Sequence, residues 1–381
     1  MQVTSPSINE LETPALLLEN GKMQKNIVRM RDQLARLKVA FRPHVKTAKC
    51  VEVALAMSGG VPGPITVSTL READYFADNG FTDILYAVGI TANKMGHVAS
   101  LLGRGIKLTL ILDNLDAAHA LVQASAALSV SVHALIEIDC DGHRAGILPD
   151  SPELLAVAQI LSAGGVIVAG VMTHAGGSYY CRSDAALRAM AEQERACTVR
   201  AAGHLRQAGH AAPVVSVGST PTALFAEGLS GVTEVRAGVF VFFDLVMAGL
   251  GVCRVDDIAV SVLTTVIGHQ RDKGWTIVDA GWMAMSRDRG TAAQPVDQGF
   301  GLVCDVHGAA MPDYIMISAN QEHGIIAHRD GDAGSALSLP VGSQLRILPN
   351  HVCATAAQHA RYHVVEDSPA ITEVWERING W

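Results

Sequence analysis

Apolar and polar positions along the chain follow two rhythms, and the change from one to the other divides it. Thr13-Pro14-Ala15-Leu16-Leu17-Leu18-Glu19 is a short apolar strand candidate. A helical pattern follows, with Met23, Ile27, Met30, Leu34 and Leu37 recurring every three or four residues. Strand-like runs then come at 40–46, 65–70, 84–88, 107–113, 130–140, 168–174, 214–220 and 234–243, with helix-like segments such as 71–79, 93–102, 115–126, 152–163 and 184–208 between them. Eight strands, most followed by a helix, predict an α/β chain with a (β/α)8 TIM barrel; an open doubly wound sheet is the alternative. After about Val255 the runs at 258–269, 275–279, 301–306, 314–318, 324–327, 344–348 and 363–366 are short, punctuated by Gly and Pro, and long helices are scarce. That reads as a mostly antiparallel β domain. The expectation is a barrel over 19–254 and a C-terminal β domain over 255–381, to which residues 1–18 add a strand.

Composition narrows the classes. A chain of 381 residues with 49% hydrophobic residues can bury a large core and support two domains. The net charge is −8 and no basic tract or Lys/Arg stripe occurs, which argues against a nucleic-acid partner. No apolar run reaches the roughly 18 residues of a membrane span, and residues 1–10 lack the basic start and apolar core of a secretion signal. The seven cysteines, Cys50, Cys140, Cys181, Cys197, Cys253, Cys304 and Cys353, are odd in number and unclustered. They predict reduced thiols and a cytoplasmic location.

In a barrel, chemistry gathers at the C-terminal strand ends. The polar residues there are Lys46, Thr69, Asp113, Asp139, His174 and Gly218-Ser219-Thr220. In Phe41-Arg42-Pro43-His44-Val45-Lys46-Thr47, strand alternation puts Arg42, His44 and Lys46 on one face. A lysine partly desolvated among other cations becomes a nucleophile able to form a Schiff base; the plain alternative is a lysine reaching out to the rim. Val217-Gly218-Ser219-Thr220-Pro221-Thr222 closes strand seven and opens a helix, either as an anion site or as an ordinary N-cap. Arg144, in the Gly-flanked loop 139–146, suits an oxyanion or phenolate oxygen, or an ion pair with Asp139 or Asp141. His174-Ala175-Gly176-Gly177-Ser178-Tyr179-Tyr180 offers close backbone approach and a ring to stack or bond. In Pro349-Asn350-His351-Val352-Cys353, the imidazole and thiol share a face if the segment is extended, and both are zinc-type ligands.

Together these segments resemble a known family. Arg42-Pro43-His44-Val45-Lys46-Thr47 is similar to the pyridoxal-phosphate lysine motif of the D-serine dehydratase and D-threonine aldolase family. That family has the fold-type III, alanine-racemase-like architecture of a barrel plus a C-terminal β domain. The resemblance runs almost end to end, through the Arg144 loop, the loop 174–179, Gly218-Ser219-Thr220, Glu234-Val235-Arg236-Ala237-Gly238, Asp279-Ala280-Gly281, Glu322-His323-Gly324 and Pro349-Asn350-His351-Val352-Cys353. It implies that Lys46 carries pyridoxal 5′-phosphate as a Schiff base. Gly218, Ser219, Thr220 and Gly238 would hold its phosphate and Arg144 would face its phenolic oxygen. Either Tyr179 or Arg236 would meet its ring nitrogen. His351 and Cys353 would bind a catalytic divalent metal: zinc, manganese, cobalt or magnesium. The implied activity is loss of the β-hydroxyl from a D-3-hydroxy amino acid with release of ammonia. The substrate would be D-threo-3-hydroxyaspartate, giving oxaloacetate, or D-serine, giving pyruvate. A D-threonine aldolase, splitting its substrate to glycine and an aldehyde, is the nearest rival; aldolases of the family carry Asp at the position of Cys353. A non-catalytic cofactor carrier is the other, and the β domain and the His351/Cys353 pair argue against it. The resemblance also implies a homodimer whose β domain closes the partner's barrel mouth.

Overall fold

In a computed structural model, residues 7–366 and 368–381 are described. Of the segment 1–18 expected to add a strand, residues 1–6 lie outside the described residues. By internal packing the chain divides into two units. Arg29–Gly238, with Gly380–Trp381, form one; the chain up to Val28, with Val239–Asn379, forms the other. The first strand, β1 (Ala15–Glu19), belongs to the latter.

The unit Arg29–Gly238 is the barrel. Its strands among the described residues are β2 (Ala40–Phe41), β3 (Ile65–Val67), β4 (Asp83–Gly89), β5 (Lys107–Leu112), β6 (His133–Ile138), β7 (Ile167–Thr173), β8 (Val214–Val217) and β9 (Glu234–Val235). All pair in parallel, in the order β2-β9-β8-β7-β6-β5-β4-β3. A bridge between His44 and Thr66 closes the ring: Val45 N–H donates to Thr66 O and Thr66 N–H to Pro43 O, each at 2.9 Å. The expected barrel is therefore present. Helices start where a hydroxyl or amide side chain caps the first turn. Thr69, Asn114, Ser183 and Ser219 each accept from a backbone N–H three residues on. Leu85, Ile111, Leu135, Ala169 and Met172 form a buried apolar cluster; fully burying one such large side chain is worth about 1.5–3 kcal/mol.

Several strands stop sooner than the hydrophobic runs suggest. The run 40–46 is in the ladder only at Ala40–Phe41. Arg42 and His44 still donate to Val235 O and Ala237 O, but Pro43 has no N–H to give, and Lys46 sits in the following turn. The run 214–220 ends at Val217 because Gly218 turns the chain into the helix Thr220–Phe225. The run 234–243 leaves the ladder after Val235. The helix Val51–Met57 was not anticipated.

The other unit is a mixed sheet. Its strands after β1 are β10 (Val260–Gln270), β11 (Trp275–Val278), β12 (Leu302–Cys304), β13 (Ala310–Ala319), β14 (Gly324–His328), β15 (Gln344–Leu348), β16 (Arg361–Val365) and β17 (Ile371–Glu376). The order is β11-β14-β13-β12-β15-β10-β1-β16-β17, and β11 also pairs with β10. All pairings are antiparallel except β1 with β16. Asp279 ties two strands of this sheet to the N-terminal segment. Its carboxylate accepts from the hydroxyls of Thr13 (2.5 Å) and Thr264 (2.7 Å) and from Thr265 N–H (2.9 Å). β17 was not anticipated. No helix among the described residues is long and apolar enough to cross a membrane.

Candidate active site

The barrel's C-terminal mouth collects the predicted polar residues, though not all in the predicted way. Lys46 is exposed in the turn after the closing bridge. His44 lies two residues earlier, and its Nδ1 accepts from Lys46 N–H at 3.4 Å. Burial and the charges of Lys46 and Arg236, with His174 nearby, hold the His44 imidazolium well below its usual range. Arg42 is elsewhere. Its guanidinium pairs with Asp83 (2.7 Å) and Glu234 (2.9 Å) and lies near Ile65 O, all first residues of strands. It therefore stands at the opposite, N-terminal rim, paired with two carboxylates and not beside Lys46.

The loop after β7 and the turn after β8 are joined closely. His174 Nδ1 donates to Gly218 O at 2.8 Å, which leaves Nε2 as the unprotonated nitrogen. Burial, only partly opposed by that bond and reinforced by Lys46, Arg144 and Arg236, brings its pKa down to about 3. Tyr179 ends the same loop, with its ring centroid 6.4 Å from that of His174. Gly218 has φ +157°, and a Cβ there would lie 1.8 Å from Arg236 O, so only glycine fits. At Gly238 a Cβ would lie 2.8 Å from His44 O. Ser219 caps the helix Thr220–Phe225, and its hydroxyl lies 3.0 Å from Ser178 Oγ and 2.9 Å from Thr222 Oγ1.

Two arginines complete this group. Arg144 is more than half exposed and pairs with buried Glu137 at 3.3 Å, not with Asp139 or Asp141. Those aspartates shape the backbone instead: Asp139 accepts from Asp141 and Gly142 N–H, and Asp141 from Gly177 N–H. Arg236 is buried, donating to Ser216 Oγ (2.8 Å) and Thr173 O, and burial lowers its pKa despite Glu234, Glu194 and Glu137. Thr69 and Asp113 are structural: the first caps a helix and the second accepts from Gly146 N–H.

The unit containing Val239–Asn379 brings His351 and Cys353 together, by a geometry other than the extended one expected. His351 is the N-cap of the helix Val352–Ala356 and Cys353 lies in its first turn; their side chains are hydrogen-bonded. Asp288 Oδ2 stands 2.6 Å from His351 Nδ1. Burial opposes the charged imidazole, but Asp288 and Cys353 outweigh it and raise its pKa to about 11. Buried Asp244 accepts from Val352 N–H (3.1 Å) and Met247 N–H (2.9 Å), and buried Asn350 donates to Gly299 O (2.7 Å). These bonds hold the segment 349–353 in place.

The donor set suits a divalent ion. Nδ1 faces a carboxylate, so Nε2 is the outward donor, and thiolate with imidazole is a zinc-type pair. Among the described residues no three His, Cys, Asp or Glu side chains are arranged to hold a metal. The glycines at 218 and 238, beside a row of hydroxyls, likewise suit a phosphate. Asp288, Asp244, Glu137 and Glu194 were missed by sequence reasoning, and none sits in a motif that would have marked it.

Comparison with known proteins places these residues in context. The family model "Alanine racemase, N-terminal domain" matches residues 19–246, and the model "Putative serine dehydratase domain" matches residues 259–365. A D-threo-3-hydroxyaspartate dehydratase from Delftia sp. (strain HT23) is 52% identical over 374 residues, 97% of this chain and 98% of the relative. A D-serine dehydratase from Dictyostelium discoideum is 29% identical over 407 aligned positions, with 100% of both chains covered. Among solved structures, a D-threo-3-hydroxyaspartate dehydratase C353A mutant in the metal-free form aligns at TM-score 0.96 and 51% identity, over 99% of this chain and 100% of that one.

Proposed function

The chain belongs to the D-threo-3-hydroxyaspartate and D-serine dehydratase family, on the alanine-racemase-like fold, and from that premise we propose that it is a lyase: a pyridoxal-phosphate- and metal-dependent dehydratase of D-3-hydroxy amino acids. D-threo-3-hydroxyaspartate is the leading substrate, giving oxaloacetate and ammonia; D-serine, giving pyruvate and ammonia, is the second. The observation that carries this reading is the His351–Cys353 pair with Asp288 behind it, in a chain 52% identical along its length to a dehydratase of that name.

Bound pyridoxal phosphate supplies an electron sink for the pair left at Cα, and a divalent metal supplies a Lewis acid for the departing hydroxyl. Lys46 Nζ would hold the cofactor covalently and then serve as base for the Cα proton. Gly218, Ser219, Thr220 and Gly238 would cradle the phosphate. Arg144, paired through one nitrogen with Glu137, would reach the phenolic oxygen. Either Tyr179 or Arg236 would meet the ring nitrogen; the bonds from Arg236 to Ser216 Oγ and Thr173 O favour Tyr179. His351 Nε2 and Cys353 Sγ would hold the metal, with zinc favoured by the thiolate and manganese, cobalt or magnesium as alternatives. A homodimer would exclude water from the barrel mouth.

The test is a panel of D-threo-3-hydroxyaspartate, D-serine and D-threonine, with ammonia, 2-oxo acid and glycine measured together, and borohydride trapping of the cofactor. Ammonia with a 2-oxo acid, and a label on the Lys46 peptide, are expected. Glycine with an aldehyde would make the chain an aldolase, and a label on another lysine would end the site assignment.

A further inference from the structure

Two buried backbone donors at the barrel mouth end on one carboxylate. Glu194, midway along the helix Asp184–Gln207, is 2% exposed. Its Oε1 accepts from Ala175 N–H at 3.1 Å and from Gly218 N–H at 3.0 Å, and its side chain is hydrogen-bonded to Thr222. Ala175 begins the loop that carries Ser178 and Tyr179; Gly218 begins the Gly-Ser-Thr turn. The carbonyl of Gly218 meanwhile accepts from His174. Gly218 is thus held on both edges in a conformation only glycine adopts.

A carboxylate this deep costs free energy that a leucine at the same helix position would not. Burial accordingly raises its pKa above the usual carboxylate range. What the carboxylate does, and an apolar residue could not, is hold two separate loops by their backbones.

We propose that Glu194 is a positioning residue for the cofactor's phosphate: it sets the loop after β7 against the turn after β8, so that the hydroxyls of Ser178 and Ser219 and the backbone at Thr220 face one anion together. Glu194 touches neither cofactor nor substrate and acts through Gly218 and Ala175. The inference rests on the pyridoxal-phosphate reading above.

The test compares pyridoxal 5′-phosphate with pyridoxal, which lacks the phosphate. Each is titrated into wild-type protein stripped of cofactor and into Glu194→Met and Glu194→Gln, following the cofactor's absorbance and the melting temperature. Glu194→Met removes both acceptors, and the affinity for the phosphorylated form should fall roughly 10- to 100-fold. Pyridoxal should bind as before. Glu194→Gln keeps one oxygen acceptor and should lose roughly three- to tenfold. A folded variant with the wild-type ratio of the two affinities would overturn the proposal, as would an equal loss for both compounds, even with a lowered melting temperature. Should Glu194→Met not fold, the glutamine variant is judged by the same ratio. If wild-type protein binds neither compound, the cofactor reading itself fails and this inference falls with it; a variant that merely equals a binding wild type overturns the inference alone.

Discussion

Replacing Asp288 by Asn should weaken the metal and spare the fold. Asp288 Oδ2 lies 2.6 Å from His351 Nδ1, with the two side chains 36% and 43% exposed. At such exposure the pair adds only about 1 kcal/mol or less to stability. Its value lies in the tautomer. An acceptor at Nδ1 keeps a proton there, so that the proton an ion displaces from the imidazolium is the one on Nε2. An asparagine can turn its amide N–H toward Nδ1 and drive the proton to Nε2, where it competes with the ion. Losing such a partner typically lowers metal affinity roughly 10- to 100-fold, or about 1.4–2.7 kcal/mol. The Asp288 carbonyl, which accepts from Asn350 Nδ2, is untouched by the change, so the segment 349–353 should stay in place. The assay is ammonia release from D-threo-3-hydroxyaspartate across a metal titration, beside competition with a chromophoric chelator. The half-saturating metal concentration should rise roughly tenfold or more, with the maximal rate recovered at saturation and the melting temperature lower by at most a few degrees. An unchanged half-saturation, or a rate that no metal concentration restores, would refute the tautomer argument.

Other outcomes follow from the same sites. Chelation, or His351→Ala, should abolish ammonia release from D-3-hydroxyaspartate and D-serine but spare much of the elimination from D-β-chloroalanine, because chloride leaves without a Lewis acid; equal loss on all three would make the metal's role binding or structural. Half-buried His174 has its pKa brought from 6.5 to about 3, so on acidification the folded state takes up this proton only at lower pH than the unfolded state. Its contribution to stability is complete above about pH 6.5 and is lost as pH falls toward 3. Urea midpoints should therefore drop more steeply between neutral and acid pH in wild type than in His174→Gln; parallel curves would contradict this. Light scattering at working concentration should give a dimer, and a fully active monomer would dismiss the partner's part in closing the barrel.

What could be read from the chain alone was what local pattern encodes. Strand and helix alternation gave the barrel, and short segments marked Lys46, Gly218-Ser219-Thr220, His351 and Cys353 as candidates. Strand ends were misjudged because hydrophobic runs continue where hydrogen bonding stops: at Pro43, which lacks an N–H, and at Gly218, whose positive φ turns the chain. Arg42 was placed beside Lys46 because alternation gives a face but not a height; four residues along a strand span about 13 Å, enough to reach the opposite rim. His351 and Cys353 meet through a helix cap, a geometry their two-residue spacing does not distinguish from an extended one. Asp288 and Glu194 were invisible because each acts 63 or 24 residues from its partner in sequence, through a contact only the fold creates.

The place of β1 has a consequence for how the chain is made. Leu16, Leu17 and Leu18 are almost wholly buried between β10 and β16, on strands that begin at Val260 and Arg361. The ribosome therefore releases this apolar strand well before either of its partners. At roughly 5–20 residues per second, some tens of seconds pass before β10 emerges, and longer before β16. In that interval the barrel segment between them is complete and free to fold, while three leucines wait with both edges unpaired, a ready target for a chaperone or for a neighbouring nascent chain.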